Sequence, residues 1–436
     1  MQRIATFRKG GVHPSDRKAL SSSCAIEQLP MPVELIVPLS QHLGAPATAL
    51  KQKGDTVEIG EKIGKASGFI SADIHSPATG TIKEVRKVTL ANSVACDAYV
   101  ITVDNDAEPK QWEYHPFRAL DAQEILAIVQ DMGVVGTGGA TFPTHVKLMV
   151  PKGKSVDALV VNGVECEPYL TADHRLMLEK TEHILDGIMI VAQATKPKKI
   201  IIGVENNKPD AIQALRAAIN MADYPITVEP LKVKYPQGDE KQLLKATIGR
   251  EIPSGKLPID VGAVVLNVGT AYAIFEAVVL RKPLIDRVVT VSGEAISTPK
   301  NLRVPIGTKV FDLLSFCNGT SRQPEKMISG GPMMGFAFFD DQTPVTKGTS
   351  GVLALDHQKE HDAPTTACIS CGRCVAVCPM GLQPTKLNKL IEHARYEDAM
   401  KLNLMDCKEC GCCAYTCPAH LPLVHAMKIG KKMGRK

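Results

Sequence analysis

No stretch of the 436 residues reaches the roughly 18 uninterrupted apolar positions that a membrane-spanning helix needs, so none is expected. The start, Met1 to Pro14, carries no apolar core and no small-residue cleavage site, which argues against a secretory signal. Charge of one dominant sign is also missing. The formal net charge is +5 and no basic stripe runs through the body, so no nucleic-acid partner is expected. Only Lys428, Lys431, Lys432, Arg435 and Lys436 form a strongly basic run, readable as a solvated tail or as a contact for an anionic surface. Five of the 13 cysteines follow no pairing pattern, and the chain is far longer than disulfide-dependent secreted domains; it reads as reduced and cytoplasmic. Its length asks for several domains.

What is present sits at the C-terminal end. Cys368, Cys371, Cys374, Cys378 and Pro379 repeat as Cys407, Cys410, Cys413, Cys417 and Pro418, at a constant offset of 39 residues. The run Cys-x2-Cys-x2-Cys-x3-Cys-Pro is the two-cluster ferredoxin spacing, in which each fourth cysteine ligates the other run's cluster. The expected ligands of one 4Fe–4S cube are Cys368, Cys371, Cys374 and Cys417; those of the other are Cys407, Cys410, Cys413 and Cys378. Structural zinc uses two Cys pairs and would leave the third Cys and the Cys-Pro ending unexplained. Cys412 falls outside the spacing and is set aside as a spare thiol.

Upstream, residues 33–110 hold short alternating strands with corners at Gly54, Gly60, Gly64 and Gly80. From about 119 the pattern becomes helix 121–132, strand 157–163, one long helix of about 170–195, strand 199–205, helix 208–222, strand 226–234, helix 238–248 and strand 262–268. Apolar strands alternating with helices predict a parallel, doubly covered sheet over 119–285, and a multidomain α/β chain. Residues 287–335 read as a small α+β module and the Gly/Pro/Thr-rich 340–366 as a linker to the cysteine-rich 367–436. One amphipathic helix is expected over 384–401. Residues 1–32 read as an N-terminal arm.

Three loops of the α/β region carry chemistry. The first contains Gly136, Gly138, Gly139, Ala140, Phe142, Pro143 and Thr144, followed by Lys147; its glycines admit a phosphate or ring close to backbone N–H groups. The second, Asn162 to Pro168, follows an apolar strand and holds Glu165 and Glu167, acceptors for ribose or nicotinamide. The third contains Tyr235, Gly238, Asp239 and Glu240 at a helix start. By spacing alone a tight structural turn fits the first as well as a cofactor cradle, and a solvated acidic turn or ordinary capping fits the others.

The residues 33–110 resemble the barrel-sandwich hybrid fold of lipoyl and biotinyl carriers, although Gly68-Phe69-Ile70 stands where those carriers present a lysine, so a docking or structural role is implied. The three loops, with Asn267 and Thr270, are similar to the flavin-binding subunit of respiratory complex I; Thr137, Thr141, Val164 and Asp239 depart from its pattern. The whole chain resembles the C subunit of the Rnf electron transport complexes. Phe7, Gly10, Gly11, His13 and Pro14 match that family's start, Gln41 to Pro46 and His75 to Thr81 match its β module, and both cysteine runs follow in order. The resemblance implies noncovalent FMN at the three loops, NADH as substrate, and a β-grasp module near 287–335. It also implies a peripheral subunit on the cytoplasmic face of a bacterial inner membrane. Its partners would be the other subunits, including a ferredoxin-like one, in a complex that couples NADH–ferredoxin electron transfer to Na+ or H+ movement.

Overall fold

The apolar runs pair as the alternation of strands and helices requires. In the computed structural model, which describes residues 4–356 and 364–434, Ile226–Leu231, Lys199–Glu205, Ala158–Gly163 and Ala263–Asn267 lie side by side in that order, every pair parallel. Successive side chains of a strand point to opposite faces. Leu159 and Val161 therefore enter one core with Ile125, Ile184, Leu215 and Ile274, while Ala158 and Val160 enter another with Leu243, Leu244 and Ile252. Helices cover both faces, which is why these strands are apolar on both.

The helix Ala122–Asp131 starts on a reciprocal cap: Asp121 accepts from the Gln123 and Glu124 amides, and Glu124 accepts from the Asp121 amide at 2.7 Å. Asp121→Ala is expected to lower stability by about 1 kcal/mol, read as a shift of the urea midpoint at unchanged slope.

Two expected helices are each divided. The span 170–195 consists of Ala172–Glu179 and Thr181–Thr195, because Lys180 leaves helical geometry and the Thr181 hydroxyl donates back to the Met177 carbonyl at 2.6 Å. Gly187 then lets the second helix lie directly on Val268–Val279: a β-carbon there would come within 1.9 Å of the Ala271 carbonyl oxygen. The span 384–401 consists of Pro384–Glu392 and Tyr396–Lys401, broken where Ala394 turns to a φ of 54°.

The N-terminal strands form two small sheets around one core. Glu34–Pro38, Ala95–Val103, Gly80–Thr89 and Thr56–Val57 make one, and Thr48–Ala49, Lys62–Lys65 and Ile74–His75 the other. Leu35, Val37, Ile63, Ile74, Tyr99 and Ile101 fill the space between them.

The stretch 340–366 is not simply a linker. Gly351–Leu355 inserts into the middle of a six-stranded sheet, parallel to Asp286–Ser292 and antiparallel to Lys326–Ser329. Just before it, Lys347 is buried and donates to the carbonyls of Asp73 at 2.8 Å and Gly133 at 2.7 Å. Burial pushes its ammonium down to about 7. That one side chain ties the six-stranded unit to both the N-terminal strands and the α/β domain. Residues 357–363 of the expected linker lie outside the described residues. The expected N-terminal arm also joins this sheet, through Ile26–Gln28 paired parallel with Lys300–Pro305. Of the basic C-terminal run, Lys428, Lys431 and Lys432 lie in the helix Leu423–Met433, and Lys431 donates to the Cys407 carbonyl at 2.6 Å and pairs with Glu409 at 2.7 Å. Arg435 and Lys436 lie outside the described residues.

Candidate functional site

The two cysteine runs repeat in conformation as well as in sequence. Ser370 and Glu409 both take a left-handed turn, at φ of 57° and 56°, between the first and second cysteine of each run. Gly372 and Gly411 do the same after the second cysteine, and each opens a short helix, Arg373–Ala376 and Cys412–Tyr415. These turns bring three thiols of each run around one cavity. Backbone N–H groups approach the sulfurs: Ser370 to Cys368 at 3.4 Å, Glu409 to Cys407 at 3.4 Å, and Leu382 to Cys378 at 3.3 Å.

Each of the two cavities these thiols line draws on both runs. One of about 290 Å³ is lined by Cys368, Cys371, Cys374 and Cys417, the fourth thiol coming from the second run. The other, about 20 Å³, is lined by Cys407, Cys410, Cys413 and Cys378, the fourth coming from the first run. Among the described residues, no three His, Cys, Asp or Glu side chains converge closely enough to grip a single metal ion. In donor chemistry, four soft thiols around each cavity, with amide N–H groups near the sulfurs, suit an iron–sulfur cube. Burial pushes the Cys407 thiol up to about 11 and Cys413 up to about 12. Loading this second site therefore releases protons. Cys412 is more than a spare thiol, for it is fully buried, lines the second cavity and shares a hydrogen bond with Cys410 that holds the Cys410 thiol below its ordinary range.

The Gly-rich loop lies at the carboxyl ends of the parallel strands. Asn162 and Asn267 face each other in register on neighbouring strands. The Asn267 side chain accepts from the Gly269 and Thr270 amides, capping Val268–Val279, and also accepts from the Thr137 hydroxyl at 3.0 Å. Its amide nitrogen donates to Asp173 at 2.8 Å. The Thr270 hydroxyl accepts from the Thr137 amide at 3.0 Å. Gly138 packs on this floor, where a β-carbon would sit 3.2 Å from that of Asn267. Gly138, Gly139 and Ala140 are exposed above it, Gly136 and Phe142 are half-buried, and the Gly136 amide donates to the Phe142 carbonyl at 2.9 Å. The result is a polar floor under an open glycine rim at a strand end, the place where α/β sheets receive nucleotides.

The other candidates fall into three groups. Glu165 is buried and accepts from the Asp173 amide at 2.9 Å and the His174 amide at 3.3 Å, the first turn of Ala172–Glu179. Glu167 accepts from the Met333 amide at 3.0 Å and from the Tyr235 hydroxyl at 3.5 Å; burial pushes its carboxyl up to about 7. Gly238 joins two of the loops, its carbonyl accepting from Asn162 at 2.9 Å and its amide donating to the Cys166 sulfur at 3.4 Å. Lys147 and Glu240 pair with each other at 3.0 Å, so Lys147 is already engaged rather than a free cation beside the rim.

Three residues without a motif complete the site. Asp173 is pushed up to about 7 by burial and by Glu165. Arg287 donates to the Thr137 carbonyl at 3.3 Å and to the Lys347 carbonyl at 2.5 Å, reaching under the Gly-rich loop from the six-stranded sheet. Lys18 is buried and donates to the carbonyls of Glu167 at 2.9 Å and Leu170 at 2.5 Å. Lys18 and Arg287 come from other modules, so no local spacing could have pointed to them.

The nucleotide-type loops and the second cysteine cavity meet directly. Tyr235, Cys166, Val12, Met333 and Val377 pack with Cys410 and Cys412 in one cluster. Lys241 faces Asp406 at 3.8 Å, and Gln242 donates to the Met380 sulfur at 3.5 Å.

Comparison with known proteins agrees with this order of parts. Residues 5–106 match the RnfC barrel sandwich hybrid domain, 129–276 the Nuo51 FMN-binding domain, 288–337 the SLBB domain and 367–421 the 4Fe-4S dicluster domain. The chain is 43% identical to the C subunit of the proton-translocating ferredoxin:NAD(+) oxidoreductase complex of Clostridium ljungdahlii, over 92% of this chain and 88% of that one. It is 42% identical to the C subunit of the Na(+)-translocating ferredoxin:NAD(+) oxidoreductase complex of Acetobacterium woodii, over 97% and 96%. The C subunit of the ion-translocating oxidoreductase complex of Rhodobacter capsulatus is 43% identical, over 97% and 82%. Among solved structures, an NAD+-reducing [NiFe]-hydrogenase in its H2-reduced state shares the fold at a TM-score of 0.52 and 18% identity, covering 72% of this chain and 63% of that one. With these parts in this order and identity on this scale along nearly its whole length, the chain belongs to the C-subunit family of the ion-translocating ferredoxin:NAD(+) oxidoreductase, or Rnf, complexes.

Proposed function

We propose that this chain passes electrons between NADH and the other subunits of an Rnf-type complex, on the cytoplasmic face of a bacterial inner membrane, within a complex that also moves Na+ or H+. Among the described residues no helix is long and apolar enough to cross a membrane, and attachment would be through partner subunits. The working modules are 33–110, 119–285, a β-grasp-like 287–335 and 367–436.

Gly136, Gly138, Gly139, Ala140, Phe142, Asn162, Asn267 and Thr270 would hold FMN noncovalently at the strand ends, with Glu165, Glu167, Tyr235, Gly238, Glu240 and Lys147 in the surrounding loops. When bound, it accepts the electron pair of NADH and releases electrons singly, which the cubes require. The residues then position and insulate. Asn267 and Thr137 fix the floor, the exposed glycines admit the cofactor, and Glu167 holds or releases a proton near neutral pH between Tyr235 and Met333. The observation that carries this reading is the packing of Tyr235 and Cys166 on Cys410 and Cys412. It makes the cube at Cys407, Cys410, Cys413 and Cys378 the neighbour of the flavin loops.

The cube at Cys368, Cys371, Cys374 and Cys417 is then the exit. Its cavity is also lined by Arg373, Lys386 and Lys389, beside Cys371 and an Ile369 that is 68% exposed. Such a cationic rim suits an acidic one-electron acceptor such as a ferredoxin-like subunit. Reversing Lys386 and Lys389 to glutamate is expected to slow transfer to an acidic acceptor roughly tenfold at low salt and to flatten its salt dependence. Stopped-flow mixing across a salt series measures it.

Anaerobic loading with FMN, iron and sulfide, followed by NADH, tests the whole reading. Bleaching of flavin absorbance with the appearance of reduced-cluster paramagnetic signals is expected. Bound FMN with cubes that stay oxidised would overturn it.

A further inference from the structure

The N-terminal segment runs alongside the contact between the flavin loops and the second cysteine cavity, and it is hydrogen-bonded to the Tyr235 loop and to the cysteine loop that ends at Cys378. The Gly11 amide donates to the Val377 carbonyl at 2.8 Å, next to Cys378. One residue on, Val12 and Tyr235 exchange backbone hydrogen bonds, 2.9 Å in each direction. Further along, the Asp16 carbonyl accepts from the Tyr169 amide at 2.7 Å, Lys18 holds the carbonyls of Glu167 and Leu170, and the Ser21 hydroxyl meets that of Thr171 at 2.7 Å.

The two glycines divide the task. Gly10, at φ 66°, faces the cube loop, and a β-carbon there would lie 2.5 Å from the Val377 carbonyl oxygen and 2.6 Å from the Cys378 carbonyl carbon. Gly11, at φ 90°, faces the flavin loops, and a β-carbon there would lie 2.8 Å from the Tyr235 carbonyl oxygen. A shift of either loop against the other disturbs this two-residue brace, which is bonded to both. Side chains at either position would thicken it, and both backbones occupy the left-handed region that favours glycine.

We propose that Gly10, Gly11 and Val12 form a spacing clamp that fixes the gap between the flavin loops and the cube at Cys407, Cys410, Cys413 and Cys378. They are positioning residues for the electron step, which rests on the functional reading above. Tunnelling between two centres decays exponentially with their separation, so a clamp of backbone hydrogen bonds sets the rate without touching either centre.

The test compares the unaltered full chain with Gly10→Ala and Gly11→Ala, each loaded with FMN, iron and sulfide and assayed for cofactor content. After rapid mixing with NADH, flavin bleaching is expected at the unaltered rate in all three. Cube reduction is expected to slow roughly 10- to 100-fold in the variants, the scale of an ångström-level misplacement. Cofactor content and cube midpoint potentials stay the same. Cube reduction at the unaltered rate in both correctly loaded variants overturns the clamp, whereas failure of the unaltered chain to reduce its cubes overturns the functional reading first. Hydrogen exchange on the unaltered chain decides the matter even where alanine prevents folding. Gly11 and Val12 amides should be protected like core amides, and exchange at the rate of an exposed arm sinks the clamp.

Discussion

Cys417→Ala is expected to empty the site ringed by Cys368, Cys371 and Cys374 while the site ringed by Cys407, Cys410 and Cys413 stays loaded, although Cys417 belongs to the second run. Iron and labile sulfide per chain should fall to about half, the loss of one of two cubes. The paramagnetic signal that survives should be that of the cube packed on Tyr235. The reason is geometric. Cys417 lines the cavity of the first run, and Cys378 lines that of the second. Cys378→Ala should do the reverse and, by emptying the site beside the flavin loops, should also stop NADH from reducing the remaining cube. If Cys417→Ala instead removed the cube beside Tyr235, the crossed ligand sets would be wrong.

Asp173→Asn is expected to raise the melting temperature at pH 8 by a few degrees and to flatten the pH dependence of stability below neutrality. Burial and the neighbouring Glu165 push the Asp173 carboxyl up to about 7 from an ordinary 3.8. The folded chain therefore holds a proton that the unfolded chain releases. With more protons bound in the folded state, stability falls as pH rises from about 4 to about 7 and levels off above that. Asparagine stays neutral throughout and keeps an oxygen for Asn267. Glu167, also pushed up to about 7 by burial, adds a fall over a similar window that the variant retains. Melting curves from pH 4 to pH 8 measure the difference, and parallel curves for the two proteins would refute the account. Because Asp173 is bonded to the Asn267 floor, the variant should also show altered flavin retention.

Much of this protein is legible without coordinates. The cysteine repeat points to two cubes with crossed ligand sets because thiolate spacing on a short loop is a local property, and the 39-residue offset preserves it. The parallel sheet is legible because strands covered on both faces must be apolar on both. What fails does so for local reasons that periodicity does not carry. Lys180 and Ala394 interrupt helices whose apolar pattern runs on across the break. Gly351–Leu355 reads as linker because five residues flanked by Gly, Pro and Thr show no period, yet two neighbouring strands supply its hydrogen bonds.

The sequence by itself therefore determined the cofactor chemistry, the order of the modules and the family, since each rests on residues close together in the chain. Tertiary structure alone decided which cysteine cavity neighbours the Tyr235 loop, that Cys412 lines that cavity, and that Asp173, Arg287 and Lys18 meet the loops from three separate modules. It also turned an apparent N-terminal arm into a link between the Tyr235 loop and the Cys378 loop. Most of these depend on contacts between segments distant in the chain, such as Gly11 with Val377 and Val12 with Tyr235. Packing brings such partners together through shape and backbone hydrogen bonding, and neither leaves a spacing in the sequence to read.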